Sequence, residues 1–230
     1  MIVLIVWRWS VANEARAQSA LGKAIETSQA SISDVPQPAG STIRTFKTEK
    51  DRAEAALKEF QAVVDNFGGA TAEKAKYFIA VNKLSIDRAA GITELETLAK
   101  SSDNVGSLSK FALAQAKAAD GKNDEAIALY KELTASSDPV VPKESINFSL
   151  AQLLEKAGRK DEAVELYFNI AKSAAEAKDT EGNPIPLGLT ARNAKEKVTE
   201  LNPEKAKEIV EPTPKSPLGG GGNIPLIPQQ

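Results

Sequence analysis

The chain has 230 residues, 42% of them apolar and 5% aromatic, with 29 basic side chains against 31 acidic ones and a formal charge of −2. That length suffices for one elongated domain or a domain with tails, and the near-neutral balance offers no basic stripe to neutralise the phosphates of a nucleic acid. Cysteine and histidine are both absent, which excludes disulfides, thiol nucleophiles and acylated-cysteine anchors and removes the commonest general base and metal ligand. The expectation is a protein without catalysis, metal or cofactor.

Met1–Trp9 reads MIVLIVWRW. Its apolar run covers roughly 10 Å as a helix, against about 30 Å of bilayer hydrocarbon, so it cannot span alone. It lacks the basic start of a signal peptide, and the triplet Ala15-Arg16-Ala17 is common in alanine-rich helices. β-Branched residues ending in Trp7, Arg8 and Trp9 look like the second half of a transmembrane helix, closed by interfacial anchors. On that reading Ile2, Val3, Leu4, Ile5, Val6, Trp7 and Trp9 form the membrane anchor, and more apolar residues are expected before Met1. The competing reading is a ragged apolar start that packs on the domain.

Residues 10–31 continue as a helix with Ala17, Leu21 and Ile25 on one face. No periodicity survives across Ser33–Lys47, which holds Pro36, Pro38 and Gly40, so a loop is predicted there. Thr48-x-x-Asp51 opens the next helix. Ala53, Ala56, Leu57, Phe60, Val63, Val64 and Phe67 follow at three-to-four spacing, and Gly68-Gly69 ends the run. From near Thr71 a further pair carries Tyr77-Phe78-Ile79-Ala80, then Gly91, Ile92, Leu95 and Leu98, with no glycine in the turn.

The next stretch occurs twice. Lys110–Leu133 reads KFALAQAKAADGKNDEAIALYKEL, and Asn147–Ile170 reads NFSLAQLLEKAGRKDEAVELYFNI, 37 residues later. Each copy has a Leu-Ala pair, a turn glycine (Gly121, Gly158) and an Ala-x-x-x-Tyr run (Ala126/Tyr130, Ala163/Tyr167). A fixed period of this size is the signature of stacked helix pairs, the small alanine allowing close approach of two backbones and the tyrosine filling the space one turn on. The earlier segments align with these copies: Ala56 and Phe60 with Ala126 and Tyr130, and Tyr77 with Phe111 at an offset of 34. Pro139 and Pro142 separate the last two pairs. Leu187, Ala191, Ala194, Val198 and Leu201 give a closing amphipathic helix that Asn202-Pro203 stops, and the proline- and glycine-rich end suits a disordered tail. Ile224–Pro228 reads either as a short docking motif or as plain tail.

These features resemble the tetratricopeptide repeat (TPR), with Lys110 and Asn147 where its first tryptophan stands. The resemblance implies an all-α solenoid of about four helix pairs, 10–67, 70–101, 105–137 and 141–177, with a cap at 187–201 and a tail at 202–230. It also implies binding along the first helices of the pairs. Tyr77, Phe111 and Phe148 recur there at one position, with Val81, Gln115 and Gln152 one turn on. Two readings of these residues compete: a groove for an extended or helical peptide, and rings packed against the neighbouring helix. Asp124-Glu125 and Asp161-Glu162 are read as first-turn carboxylates favoured by the helix dipole rather than as acid–base pairs. Asn147-Phe148-Ser149 is a glycosylation sequon inside a helix.

The order of apolar segment, emerging helix and four pairs resembles the ancillary subunit family of the SecYEG translocon and the related domain of cell-division coordinators. That resemblance implies a single-pass bacterial inner-membrane protein with its array in the periplasm. Its partners would be translocon subunits or periplasmic chaperones, as for an adaptor or chaperone-like module of protein export. The alternatives are a scaffold of a cell-envelope or division complex, and a non-catalytic regulatory subunit of an enzyme.

Overall fold

The computed structural model describes residues 2–35, 41, 43–136 and 139–210. The chain divides into two compact units, 1–146 and 147–230.

Unit 1 opens with α1 (Ile2–Ser28), a single helix that includes the apolar start. The side chains of residues 2–10 lie outside the described ones, and no helix among the described residues is long and apolar enough to cross a membrane. From Ala17 onward α1 packs in earnest, burying Ala17, Leu21, Ala24 and Thr27 at the spacing of one helical face. It ends at Ser28, three residues short of the expected Ser31, where the Ser28 hydroxyl donates to the Ile25 carbonyl (2.7 Å). The expected loop after it needs a second correction. Ser31–Ile32 (β1) and Thr45–Phe46 (β2) form a small parallel pair, in register Ser31 with Thr45 and Ile32 with Phe46. Strands of two residues leave no alternation for a sequence to display. Three side chains tie the pair down: Thr27 donates to Glu59 (2.8 Å), while Arg44 donates to Thr27 and to Glu59 (2.6 Å each).

α2 (Glu49–Asn66) starts where expected, the Thr48 hydroxyl accepting from the Asp51 N–H. α3 (Gly69–Ile86) follows at once, because Gly69 takes φ 65°, a conformation other residues resist. Phe60 of α2 stacks on Phe78 of α3 with centroids 5.0 Å apart, over a core of Leu21, Ala24, Ala56, Val63, Ala75 and Ile79. Between α3 and α4 (Arg88–Leu98) a single residue does the work of the missing turn glycine. The Asp87 N–H donates to the Lys83 carbonyl (2.8 Å) and ends α3, while its carboxylate accepts from the Ala90 N–H (3.1 Å) and caps α4. α5 (Asn104–Ala119) and α6 (Asn123–Ala135) are joined through Gly121 at φ 75°. Pro142 accepts from the Ile146 N–H as α7 (Lys143–Lys156) begins.

Unit 2 holds the rest of α7, then α8 (Lys160–Glu176), α9 (Leu189–Leu201) and α10 (Pro203–Ala206). Gly158 repeats the left-handed turn at φ 78°. α9 buries Ala191, Ala194 and Val198 on its packed face. Pro203 ends α9 but does not begin a tail. It occupies the first position of α10, where a proline lacks nothing, and the Asn202 side chain caps that turn by accepting from the Lys205 N–H (3.1 Å). Ala206 and Ile209 are buried behind it. The tail expected from Glu211, like Pro36, Pro38 and Gly40, lies outside the described residues.

Candidate functional site

In α5, Ala112, Leu113, Ala114 and Ala116 are buried, so the helix turns one side inward and leaves Phe111 at the edge of the packed surface. Ala126 of α6 is fully buried and brings the two helices together; Tyr130, one turn later, meets the Phe111 ring edge-on at 5.7 Å and 68°. Unit 2 repeats the arrangement. Ala163 is fully buried and Tyr167 meets Phe148 at 5.4 Å and 63°. Tyr167 is held in turn, its hydroxyl donating to Glu155 (3.1 Å), and Lys197 of α9 donates to the same carboxylate (3.1 Å). Burial, then the Glu155 carboxylate, pushes the Tyr167 phenol well above its usual pKa. Phe111 and Phe148 are thus partly exposed rings with a fixed aromatic wall behind them.

Tyr77 differs. Leu95 stands where the later pairs have tyrosine, so the ring meets Phe78 of its own helix instead (5.2 Å, 62°). Tyr77 and Val81 lie partly buried against Ala80, Leu95, Ala112 and Leu113, and burial raises the Tyr77 phenol pKa. Gln115 and Gln152 are exposed one turn beyond the phenylalanines. Of the six residues read from the sequence, Tyr77, Val81, Phe111 and Gln115 lie in unit 1, and Phe148 and Gln152 in unit 2. Each phenylalanine offers an apolar surface of fixed orientation beside an exposed amide, which suits a peptide side chain and its backbone.

The glutamate of each acidic pair is engaged in an ion pair. Glu125 lies 3.0 Å from Lys117, and Glu162 takes two hydrogen bonds from Arg159 (2.6 and 2.7 Å). Among the described residues no group of three or more acidic side chains is placed to hold a metal ion.

Two further features are not displayed by any one stretch of the sequence. Lys117 is only 8% exposed and joins three helices, α5 carrying it between Glu96 of α4 (2.8 Å) and Glu125 of α6. These two bonds raise its pKa against the opposing cost of burial. A groove of about 300 Å³ also opens between α2, α3 and α4, floored by Val64, Ile79 and Leu98. At 100° per residue its α3 residues, Lys76, Ile79 and Lys83, face away from Tyr77 and Val81. Comparing the pairs position by position is the signal that exposes both features.

No family model matches the sequence, and no curated protein matches it. Among solved structures the chain resembles a candidate kinesin light chain from Podosopora anserina with nearly identical TPR-like repeats. The TM-score is 0.56 at 16% identity, over 84% of this chain and 91% of that one. A single-substitution variant of the same protein matches equally, with TM-score 0.56. The chain is a TPR-like helical repeat protein. At that identity the likeness carries the fold alone.

Proposed function

We propose that this TPR-like array is a non-catalytic protein–protein interaction module in which Phe111 of unit 1 and Phe148 of unit 2 each take up an extended or helical peptide. In the fuller form of the proposal it is anchored in a bacterial inner membrane through Ile2–Trp9, with the array in the periplasm, and serves the Sec translocon as an adaptor or chaperone-like partner. One observation carries the binding part: a partly exposed phenylalanine, backed edge-on by a buried tyrosine, recurs at one register in two helix pairs. Rings held this way present apolar area without losing conformational freedom on binding, and aromatic anchors dominate interface energies. The anchor rests on the apolar composition of Ile2–Trp9 and on the continuity of α1 through it. The translocon rests on the order of segments described above.

The experiment pairs capture with stability. The full chain and a Phe111→Ala, Phe148→Ala variant are used to retrieve partners from detergent-solubilised bacterial membranes, and both are melted in parallel. The proposal expects translocon subunits with the native chain, and their loss from a variant that still melts cooperatively. Retained capture by the variant ends the role of the rings. Failure of the native chain to float with lipid vesicles ends the anchor.

A further inference from the structure

The three helices of the groove between α2, α3 and α4 have counterparts in α4, α5 and α6, so the chain contains its own comparison. At the repeat offsets, Lys76 and Lys83 of α3 correspond to Lys110 and Lys117 of α5, and Ile79 to Leu113. Val64 corresponds to Ala99, and Glu94 and Thr97 of α4 correspond to Leu129 and Glu132 of α6. Shared burial supports that register: Ala75 with Ser109, Ile79 with Leu113, Ala80 with Ala114 and Leu95 with Tyr130 are all buried.

In the α4–α6 set this face is closed by α6 itself. Leu129 packs against the core of Ala80, Leu95, Ala112 and Leu113, as Leu98 and Ala99 do, and Glu132 reaches back to Lys110 (2.8 Å). In the α2–α4 set both closing side chains are missing. Glu94 replaces the leucine and pairs instead with Lys83, and Thr97 replaces the glutamate. Val64, Ile79 and Leu98 are left flooring an open groove. With Thr97 in that place, Lys76 has no carboxylate from α4 to face it, and its ion pair is with Glu73, one turn back on α3 (2.8 Å), both side chains about half exposed. Such a surface pair is worth little and yields readily to a better-placed anion.

We propose that this groove docks an acidic amphipathic helix of a partner protein. The partner supplies what α4 lacks: an apolar side chain and, three residues later, a carboxylate, a Leu-x-x-Glu turn like Leu129–Glu132 of α6. The leucine fills the floor over Val64, Ile79 and Leu98, and the glutamate takes the place beside Lys76 that Glu132 holds beside Lys110. Helix-in-groove recognition of this kind needs one apolar stripe and one fixed charge to set register. The site lies on the side of α3 away from Tyr77 and Val81 and does not depend on the binding role of Phe111 or Phe148.

The test uses the full chain and a labelled 15-residue helical peptide with a single Leu-x-x-Glu turn, beside the same peptide with glutamine in place of the glutamate. Fluorescence anisotropy should show saturable binding of the first, weakened by salt, and binding of the second about ten-fold weaker. Lys76→Ala should weaken the first peptide by a similar factor. Thr97→Glu rebuilds the ion pair of the α5–α6 hairpin and should abolish binding, with the circular dichroism melt unchanged. Phe111→Ala should leave the titration where it was, which separates this site from the ring surface. Absence of saturable binding to the native chain, or equal affinity for Thr97→Glu, overturns the proposal.

Discussion

Phe111 and Tyr130 meet edge-to-face, with centroids 5.7 Å apart and planes at 68°, and the pair ties α5 to α6 at the margin of the core. Such a contact is worth about 0.5–1.5 kcal/mol beyond the area it buries. Because Phe111 is partly exposed, Phe111→Ala should cost about 2 kcal/mol, short of the roughly 3–5 kcal/mol of a fully buried phenylalanine. Phe148→Ala in unit 2 should cost the same. Urea unfolding of each variant measures it, and a loss above about 4 kcal/mol would make the rings core and remove them as a binding surface.

Ser109 is fully buried, and its hydroxyl has no hydrogen-bond partner among the described residues. The corresponding position is Ala75 in the preceding pair and Ile146 in the following one, both fully buried. An unpaired buried hydroxyl costs about 1–3 kcal/mol, and removing it leaves only a small void. Ser109→Ala should therefore raise the melting temperature, a gain of about 1 kcal/mol. A drop of similar size would mean the hydroxyl is satisfied.

The α5–α6 and α7–α8 hairpins could be read from the chain because each was marked at three levels: a left-handed glycine, a small residue at the closest approach and an aromatic one turn later. Where a different residue met the same need, the sequence was harder to read. Asp87 replaces a turn glycine by capping one helix while ending another, and Leu95 replaces the tyrosine. The β1–β2 pair has no periodicity to read, and Pro203 starts a turn that its usual role as a helix stop conceals. The phenylalanines stand out in the sequence as candidates, but their edge-on backing does not, since it depends on the distance between two helices. The groove between α2, α3 and α4 is hidden because it arises from a leucine and a glutamate that are absent at two positions of α4, where Glu94 and Thr97 stand instead.

Glu59 joins the loop after α1 to α2. Partial burial pushes its pKa up, but the bonds from Arg44 and Thr27 outweigh this and hold it below the usual carboxylate value. A carboxylate whose folded pKa lies below its unfolded value near 4.5 stabilises the fold above that value. That contribution is lost as pH falls through the folded value. Arg44→Ala should cost about 1 kcal/mol near pH 7, since the arginine is half exposed. It should also flatten the fall of the urea midpoint as the pH drops below about 4.5. Parallel curves for the two proteins over that window would rule out Glu59 as the group responsible.

Four small residues occupy one position in successive second helices, Ala56, Gly91, Ala126 and Ala163, yet the structure distinguishes the glycine. A methyl group added at Gly91 would stand 2.8 Å from the Leu84 nitrogen and 2.9 Å from the Ala80 oxygen, both backbone atoms of α3 that cannot swing aside. Alanine is the better helix former by about 1 kcal/mol, so propensity alone favours Gly91→Ala. The clash should win, because separating two packed helices costs about 1–3 kcal/mol or more. Gly22 in α1 provides the opposite case, with nothing within 4 Å of the added methyl group. Gly22→Ala should gain about 0.5–1 kcal/mol. At Ala163, fully buried in unit 2, leucine should overpack α7 against α8 and cost about 1–3 kcal/mol, while Lys160→Ala on the exposed face changes stability by less than about 0.5 kcal/mol. Denaturant midpoints for the four variants decide the matter. Stabilisation by Gly91→Ala would mean that α3 and α4 are not in close contact there, and the assignment of Gly91 to the Ala126 position would fall with it.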